Sequence, residues 1–257
     1  MNIRFDGKTI LITGATSGIG LAAAELFGTL GGKVAVCGTR KEKLDAALAR
    51  LEGLGVDALG QLCDVADDRS LAGFAQATVE RFGTLDVWIA NASVYPQYSV
   101  VDTPPEVWDR TLNTNLRSVY TDAMRGRGGV LLLASSFAAL MPSVGSGVYA
   151  ATKAATSSLV KTLAAELAPN GIRVNGYIPG VIDTDLTHGL IEANGDAMKR
   201  AIALQRFGES VDVAWALAFL ASGYARYITG TLLEVSGGKL GVQNPERAWT
   251  DAEANGK

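Results

Sequence analysis

Short apolar runs recur along the 257-residue chain and are separated by longer stretches in which apolar residues repeat at helical spacing. Because the apolar runs have no polar face, we expect them to form strands buried on both sides of a parallel sheet. Seven strands are predicted, at residues 9–12, 33–37, 58–63, 87–90, 130–134, 173–178 and 232–235. Their alternation with helices predicts a doubly wound α/β fold with helices on both faces of the sheet and right-handed crossovers.

The predicted helices lie between these strands. They follow the first strand to about residue 30 and then occupy residues 41–54, 68–82, 148–167 and 211–221, with an irregular region over 179–206. Another helix is expected to begin at Thr103-Pro104-Pro105-Glu106 and run toward Met124, because this segment matches a capping box with proline at the first helical position. Residues 244–257 are polar, and we expect a tail there that Trp249 could anchor.

A glycine-rich turn, Thr13-Gly14-Ala15-Thr16-Ser17-Gly18-Ile19-Gly20, joins the first strand to the first helix. Such a turn directs free backbone N–H groups and the positive end of the helix dipole at one point, which suits a phosphate. Gly14 can take a positive φ, Gly18 lets a pyrophosphate approach the backbone, and Gly20 lets the helix lie close to the sheet. The alternative is that this turn only connects the strand to the helix and binds no ligand. The turn and the alternating strands and helices together predict that residues 1–243 form a single Rossmann-type dinucleotide-binding and catalytic domain.

Charge and composition exclude several classes of protein. The net charge is −3 and no basic run is interleaved with aromatic residues, so nucleic acid is not expected as a partner. Without a signal-peptide core or about 18 consecutive apolar residues, we expect a cytoplasmic protein with no membrane partner. His188 is the only histidine, which argues against a metal site and a Ser-His-Asp hydrolase. Cys37 and Cys63 are predicted to be buried, reduced thiols.

Tyr149 and Lys153 are four residues apart at the start of a predicted helix and therefore share one face. An ammonium group near a phenol favours the phenolate and lowers the pKa of the phenol from about 10 toward the range of a general acid/base. Ser136 follows the preceding strand, where its hydroxyl could fold back beside the phenol. The alternative is a tyrosine lying under a lysine stem on the helix surface.

Several further motifs follow the predicted strands. In chain order the motifs are Thr13-Gly-x-x-x-Gly-Ile-Gly20, Asp64-Val65, Asn91-Ala92, Asn115, Ser136, Tyr149-x-x-x-Lys153, Asn175 and Pro179-Gly180. In this order and at nearly this spacing they resemble those of the short-chain dehydrogenase/reductase family, and the resemblance extends to Gly238.

The resemblance implies hydride transfer between a nicotinamide cofactor and a carbonyl or secondary alcohol, with Tyr149 as proton donor or acceptor. It implies that Lys153 holds the ribose hydroxyls and lowers the pKa of Tyr149, and that Ser136 hydrogen-bonds the substrate oxygen. It also implies that Asn115 holds a water linking Lys153 to solvent; the alternative for Asn115 is local backbone hydrogen bonding. No metal is needed for this reaction.

Cofactor choice is predicted from the residues after the second strand. Gly38-Thr39-Arg40-Lys41 supplies a hydroxyl and two cations where an acidic residue would repel a 2′-phosphate, so NADP(H) is favoured and NAD(H) is possible. The alternative is that Arg40 and Lys41 only begin a solvated helix. The predicted cofactor-binding residues are Gly14, Thr16, Ser17, Gly18, Ile19, Gly20, Thr39, Arg40, Asp64, Val65, Asn91, Ala92, Tyr149, Lys153, Pro179, Gly180, Ile182 and Thr184.

The chain departs from the family in two relevant places. Ser93 replaces the usual glycine after Asn91-Ala92, and we expect it to be tolerated. The segment from Asn115 to Ser136 is about six or seven residues shorter than usual, which removes nearly two turns of a helix that usually contributes to a dimer seam. Relatives are usually homodimers or homotetramers, so we expect a homo-oligomer with an altered seam.

The expected substrate is a small molecule. A largely apolar pocket is predicted from Val94, Tyr95, Phe137, Leu140, Ile182, Leu186 and Leu190, with Gln97, Asp183, Asp185 and His188 as polar residues. The predicted function is an NADP(H)-dependent carbonyl reductase or secondary-alcohol dehydrogenase. The alternatives are an NAD(H)-dependent alcohol or polyol dehydrogenase, or a dinucleotide-binding regulatory protein with little turnover.

Overall fold

The computed structural model describes residues 2–119, 124 and 128–255. Its strands are β1 (Thr9–Ile12), β2 (Lys33–Gly38), β3 (Ala58–Leu62), β4 (Val87–Ala90), β5 (Gly129–Ala134), β6 (Ile172–Pro179) and β7 (Leu232–Val235). They form one parallel sheet in the order β3-β2-β1-β4-β5-β6-β7. The order reverses between β1 and β4, and in such sheets a crevice opens at the carboxyl ends of these two strands. The predicted doubly wound, seven-stranded Rossmann-type sheet is confirmed.

Both faces of the sheet are covered by helices. The helices are α1 (Gly18–Thr29), α2 (Lys41–Gly53), α3 (Asp68–Phe82), α4 (Pro105–Asn115), α5 (Gly147–Glu166), α6 (His188–Arg200), α7 (Ser210–Ala221) and α8 (Glu246–Ala254). Alternate residues of β1 enter two cores: Ile10 packs with Phe27 of α1 and Leu217 of α7, and Leu11 packs with Phe74 of α3. The central strands are therefore buried on both sides, as predicted.

Strand β3 differs from that prediction because it lies at the edge of the sheet. Four of its five residues are half-buried, and the side chain of Leu62 is 48% exposed. An edge strand has a neighbour on one side only, so its faces are covered less completely by the flanking helices. The expectation that every strand is buried on both faces is wrong for β3 and for β7, the strand at the other edge, whose residues are half-buried or exposed.

Helix α4 begins and ends differently from the prediction. Pro104 is the N-cap and Pro105 the first helical residue, and no side chain caps the helix. The predicted capping box is wrong, because Thr103 Oγ1 instead donates to the carbonyl of Ser99 at 2.8 Å. The helix ends at Asn115, and a 3₁₀ turn follows at Arg117–Val119, so the helix predicted toward Met124 is shorter. The predicted helical positions 120–123 lie outside the described residues.

The region predicted to be irregular, 179–206, contains helix α6. Asn194 in its middle has non-helical backbone angles, with φ at −141°, and marks a kink. Two glycines and this kink interrupt the apolar periodicity on which a sequence-based prediction depends.

The C-terminal segment also contains a helix, α8. Its Trp249 donates an indole N–H to the carbonyl of Ala203 at 2.9 Å, which confirms that Trp249 anchors the segment. Among the described residues, no helix combines the length and apolarity needed to cross a bilayer. The same residues include no group of three or more His, Cys, Asp or Glu side chains that could hold a metal. Cys37 and Cys63 are buried free thiols, as predicted.

Candidate active site

The glycine-rich turn is held in place from the end of β4. Asn91 Nδ2 donates to the carbonyls of Thr13 and Gly14 at 3.0 and 3.1 Å, while its Oδ1 accepts from the hydroxyl of Tyr177 at 3.1 Å. Thr13 Oγ1 in turn accepts from the backbone N–H groups of Asn91 and Ala92, each at 3.1 Å. These bonds join the ends of β1, β4 and β6, so Asn91 shapes the crevice through every polar atom of its side chain.

Two of the turn's glycines allow contacts that a side chain would block. Gly14 has φ at +63°, and a Cβ there would lie 2.7 Å from Ala92 Cα. A Cβ on Gly20 would lie 2.4 Å from the carbonyl oxygen of Gly14. At the start of α1, the N–H groups of Gly18, Ile19 and Gly20 have no acceptor among the described residues, as expected for a helix N-terminus. The turn therefore offers three free donors at one point.

A cleft of about 580 Å³ runs along the carboxyl ends of the strands from this turn. It is lined by the following predicted residues: Gly14, Thr16, Ser17, Gly18, Ile19, Thr39, Arg40, Asp64, Val65, Asn91, Ala92, Ser136, Tyr149, Lys153, Pro179, Gly180, Ile182 and Thr184. Two predicted residues do not line it: Gly20 lies beneath the turn and Asn115 lies behind the loop after β4. Residues far apart in sequence thus meet in one cleft.

Tyr149 and Lys153 lie in the first two turns of α5 and are both buried. Lys153 Nζ donates to the carbonyl of Ala134 at 2.9 Å and lies 5.6 Å from the centroid of the Tyr149 ring. The hydroxyl of Ser135 donates to the carbonyl of Lys153 at 3.2 Å, which ties the end of β5 to α5. The two side chains therefore face the sheet, and the alternative of a solvent-exposed surface pair is wrong.

Burial dominates the acid–base properties of this pair. It raises the pKa of Tyr149 to about 12, although interaction with the Ser136 hydroxyl opposes the shift. Burial also lowers the pKa of Lys153 to about 7. The expected lowering of the phenol pKa by a neighbouring ammonium is wrong for the structure described here, because desolvation disfavours the charged form of both groups.

The buried Lys153 predicts a pH-dependent stability. Between pH 7 and 10.5 the unfolded chain binds a proton at this lysine that the folded chain does not, so the free energy of unfolding rises with pH. We expect a rise of about 2 kcal/mol from this group between pH 7 and pH 9. Urea denaturation of Lys153→Met at these pH values should lack the rise. Lys161→Met, on the exposed side of the same helix, should retain it; identical pH slopes in both variants would contradict the assignment.

Asn115, the last residue of α4, holds the loop that follows β4. Its Oδ1 accepts from Val94 N at 2.8 Å, and its Nδ2 donates to the carbonyl of Val94 at 2.9 Å. The hydroxyl of Ser93 also donates to Asn115 Oδ1, at 3.2 Å, so the serine found in place of the family's glycine is accommodated. These side-chain bonds reach 21 residues back along the chain, so the alternative of purely local bonding is wrong for Asn115.

Charged side chains surround the end of the cleft near α2. Asp64 lies 2.6 Å from Arg110 of α4, which holds the pKa of Asp64 below its usual value.

Arg40 is exposed, is the N-cap residue of α2 and lines the cleft. Lys41 does not line the cleft but pairs with Asp45 at 2.7 Å on the outer surface. The lysine of α2 that lines the cleft beside Arg40 is therefore Lys43 rather than Lys41, and Lys43 pairs with Asp185.

The other end of the cleft is largely apolar. The Tyr95 ring contacts the Tyr149 ring edge to face, with centroids 4.7 Å apart. Of the residues predicted for a substrate pocket, the cleft is lined by Val94, Tyr95, Phe137, Ile182, Asp185, Leu186 and Leu190. The others do not line it: Leu140 is 60% exposed, His188 lies 3.2 Å from Glu192 on the surface of α6, and Gln97 and Asp183 are also outside.

Sequence reasoning missed several residues of the cleft. Met198 lies on the undetected helix α6, and Arg110 had no signal beyond being a cation on an amphipathic helix. Tyr177 had a signal, since a tyrosine in a buried apolar strand needs a hydrogen-bond partner for its hydroxyl. In the structure that partner is Asn91, and burial raises the pKa of Tyr177 well above its ordinary value.

The chain is similar to proteins of one family along most of its length. The family model described as enoyl-(acyl carrier protein) reductase matches residues 14–239. Dehydrogenase/reductase SDR family member 4 of Homo sapiens is 36% identical over 241 residues, which cover 90% of this chain and 87% of that protein. The 3-oxoacyl-acyl-carrier-protein reductase FabG of Staphylococcus aureus (strain N315) is 36% identical over 239 residues, covering 90% and 97%.

A solved structure agrees with the sequence comparisons. The short chain dehydrogenase from Burkholderia cenocepacia J2315 in complex with NADP superposes with a TM-score of 0.86 at 34% identity, covering 92% of this chain and 99% of that one. The chain therefore belongs to the short-chain dehydrogenase/reductase family of NAD(P)-dependent oxidoreductases.

Proposed function

We propose that the protein transfers a hydride between NADP(H) and a small carbonyl or secondary-alcohol substrate, with Tyr149 as the general acid/base. The observation that carries this proposal is the meeting of Ser136, Tyr149 and Lys153 in a cleft that is also lined by Gly18 and Ile19, whose backbone N–H groups have no acceptor among the described residues. Donors at a helix N-terminus fit a pyrophosphate. The absence of a side chain on Gly14 lets the turn that precedes this helix pack against Ala92.

The bound nicotinamide would supply or accept the hydride, and the chain's own residues would manage the proton and the orientation. At neutral pH the Tyr149 hydroxyl is protonated, which suits donation to a carbonyl oxygen. Ser136 would hydrogen-bond the same oxygen. Lys153 Nζ would donate to ribose hydroxyls, and such acceptors favour its charged form, which in turn favours the phenolate when the reaction runs toward the ketone.

The proposed choice of NADP(H) depends on the charges at the start of α2. At this end of the cleft Arg40, Lys43 and Arg110 contribute three positive charges and Asp64 and Asp185 two negative charges, so the set carries one net positive charge. Arg40 also lies at the N-terminus of a 13-residue helix, where backbone dipoles favour an anion. The NADP bound to the Burkholderia neighbour supports the same choice.

Replacing Arg40 with alanine is expected to raise the Kd for NADPH about tenfold or more and to change that for NADH little, because a charge-assisted contact to the 2′-phosphate is lost. Fluorescence titration measures both constants. Lys41→Ala is the matched control, since Lys41 pairs with Asp45 outside the cleft. If Arg40→Ala raised the Kd for NADPH and the Kd for NADH by the same factor, the NADP(H) assignment would be contradicted.

The proposal as a whole is tested by cofactor binding followed by a panel of ketones, oxo esters and secondary alcohols, read by nicotinamide absorbance. Cofactor binding with turnover of any carbonyl compound supports it. Cofactor binding with no turnover across the panel would favour the alternative, a dinucleotide-binding regulatory protein. The apolar lining around Tyr95 and Leu190 supports a small organic substrate.

We further infer that residues 1–243 act as one domain, that the protein is cytoplasmic, and that it is a homodimer or homotetramer. The helix that usually extends the family's dimer seam ends at Asn115 in this chain. The dimer seam would therefore be smaller than in relatives. Light scattering of the purified protein measures its oligomeric state.

A further inference from the structure

Tyr95 is an aromatic side chain in the cleft wall beside the proposed general acid/base. Its ring contacts the Tyr149 ring edge to face, with centroids 4.7 Å apart and an angle of 88° between the ring planes. Tyr95 is half-buried and lines the cleft. Because the two rings touch, a substrate whose carbonyl oxygen meets the Tyr149 hydroxyl has the groups on its carbonyl carbon close to the Tyr95 ring.

The loop that carries Tyr95 is anchored on both sides of this residue. Val94, directly before it, is bonded through its N–H and its carbonyl to the side chain of Asn115, at 2.8 and 2.9 Å. Farther along the loop, Tyr98 N donates to the carbonyl of Gly145 at 3.1 Å. The Tyr95 ring packs against a small buried cluster formed by Ala138, Tyr149 and Ala150. An aromatic ring held in this way loses little conformational freedom when a ligand binds.

A second aromatic ring, Phe137, lies in the cleft wall directly after Ser136. Ser136 caps the 3₁₀ turn that contains Phe137, since its Oγ accepts from Ala138 N at 3.2 Å. Ala138 also belongs to the cluster on which Tyr95 packs, so both rings are carried by segments that meet at this cluster. Aromatic rings attract the edges and faces of other aromatic rings beyond the gain from buried area. This part of the wall therefore favours a flat, unsaturated group.

The charged groups of the cleft wall lie mainly at its other end. Among the described residues that line the cleft, the charged side chains are those of Arg40, Lys43, Asp64, Arg110, Lys153 and Asp185. All of these except Lys153 surround the end near α2, where both carboxylates are paired with cations. Lys239 lies 5.1 Å from the centroid of the Phe137 ring but does not line the cleft. Apart from Lys153, which the proposed function assigns to the ribose, this part of the described wall offers no cation to a buried anionic group, and an unpaired buried charge is costly.

We propose that Tyr95 is a substrate-binding residue that selects an uncharged substrate with an aromatic ring bonded to the reacting carbon. The substrate class is thus aryl ketones and the corresponding secondary benzylic alcohols. This inference rests on the proposed function, because it assigns the substrate of the same cleft. The substrate ring packs against the Tyr95 ring, while the hydroxyls of Tyr149 and Ser136 hold the carbonyl oxygen.

The test compares acetophenone with cyclohexyl methyl ketone, in which a saturated ring of similar size replaces the aromatic ring. The ratio of kcat/KM for these ketones is measured in the wild type, in Tyr95→Leu, in Tyr95→Phe and in Tyr98→Leu. Tyr95→Leu removes the ring but keeps an apolar side chain, and Tyr95→Phe keeps the ring. Tyr98 is the matched control because it lies in the same loop, is 44% exposed and does not line the cleft. Thermal unfolding checks that each variant is folded.

We expect Tyr95→Leu to lower the ratio of acetophenone to cyclohexyl methyl ketone by about two- to tenfold, because a contact between aromatic rings is lost for acetophenone only. Tyr95→Phe and Tyr98→Leu should retain the wild-type ratio. The wild type should use 4-acetylbenzoate, which adds a carboxylate to acetophenone, at least about tenfold less efficiently than acetophenone. An unchanged ratio in Tyr95→Leu, an equal loss for both ketones, or efficient use of 4-acetylbenzoate would overturn the proposal.

Binding without turnover separates this proposal from the proposed function. The protein loaded with NADP⁺ has no hydride to give to a ketone, so calorimetry measures the Kd of acetophenone and of cyclohexyl methyl ketone directly. Tighter binding of acetophenone that Tyr95→Leu abolishes, in a protein that reduces no carbonyl compound, would support the Tyr95 site while the proposed activity fails. Turnover of ketones, with the same ratio of Kd values in the wild type and in Tyr95→Leu, would support the activity and overturn the Tyr95 site.

Discussion

Replacing Tyr149 with phenylalanine is expected to lower kcat by about 10³-fold or more, because general acid/base catalysis by a placed group contributes about 10²–10⁴-fold and the phenol is the proposed proton donor. The substitution removes one oxygen atom and keeps the ring, so the edge-to-face contact with Tyr95 remains. Cofactor affinity is expected to change little, since the free N–H groups of α1 are untouched.

The experiment measures single-turnover rates and cofactor Kd in the same preparations. Tyr227→Phe is the matched control, because the Tyr227 side chain is fully exposed and the same atom is removed there. Unchanged turnover in Tyr149→Phe would refute the mechanism. A parallel loss of cofactor binding would point instead to a structural role for the hydroxyl, such as its interaction with Ser136.

Replacing Gly20 with alanine is expected to damage both the fold and the cofactor site. The added Cβ would lie 2.4 Å from the oxygen of Gly14, 2.7 Å from Asn91 Nδ2 and 2.9 Å from Ala15 Cα. Two of these atoms belong to the backbone and the third is held by two hydrogen bonds, so the helix must move away from the turn. We expect a loss of about 1–3 kcal/mol in unfolding free energy and at least a tenfold loss of cofactor affinity.

Gly73→Ala is a matched control, because Gly73 is also helical and a Cβ there would meet nothing within 4 Å. Alanine favours a helix over glycine by about 1 kcal/mol, so this variant should be as stable as the wild type or more so. Urea denaturation and fluorescence titration provide the two readouts. Wild-type stability and cofactor affinity in Gly20→Ala would contradict the close packing of Gly20 against the turn.

Elements whose signals lie within their own few residues were predicted well. Helix α3 begins and ends at the predicted residues, since Asp67 caps its start by accepting from Arg69 N and Gly83 ends it with φ at 85°. The spacing of Tyr149 and Lys153 likewise places both on one face of α5, whatever surrounds that helix. Helix α6 was missed because its kink at Asn194 interrupts the apolar repeat.

The sequence by itself determined the alternation of strands and helices, the glycine-rich turn and the family, because apolar periodicity and glycine conformation act over a few neighbouring residues. Only the tertiary structure decided how the site is charged. It joined Asn91 to Tyr177 and buried Lys153 beside the ring of Tyr149. It also raised the pKa of Tyr149, since desolvation depends on what the folded chain packs around a group rather than on the residues beside it in sequence.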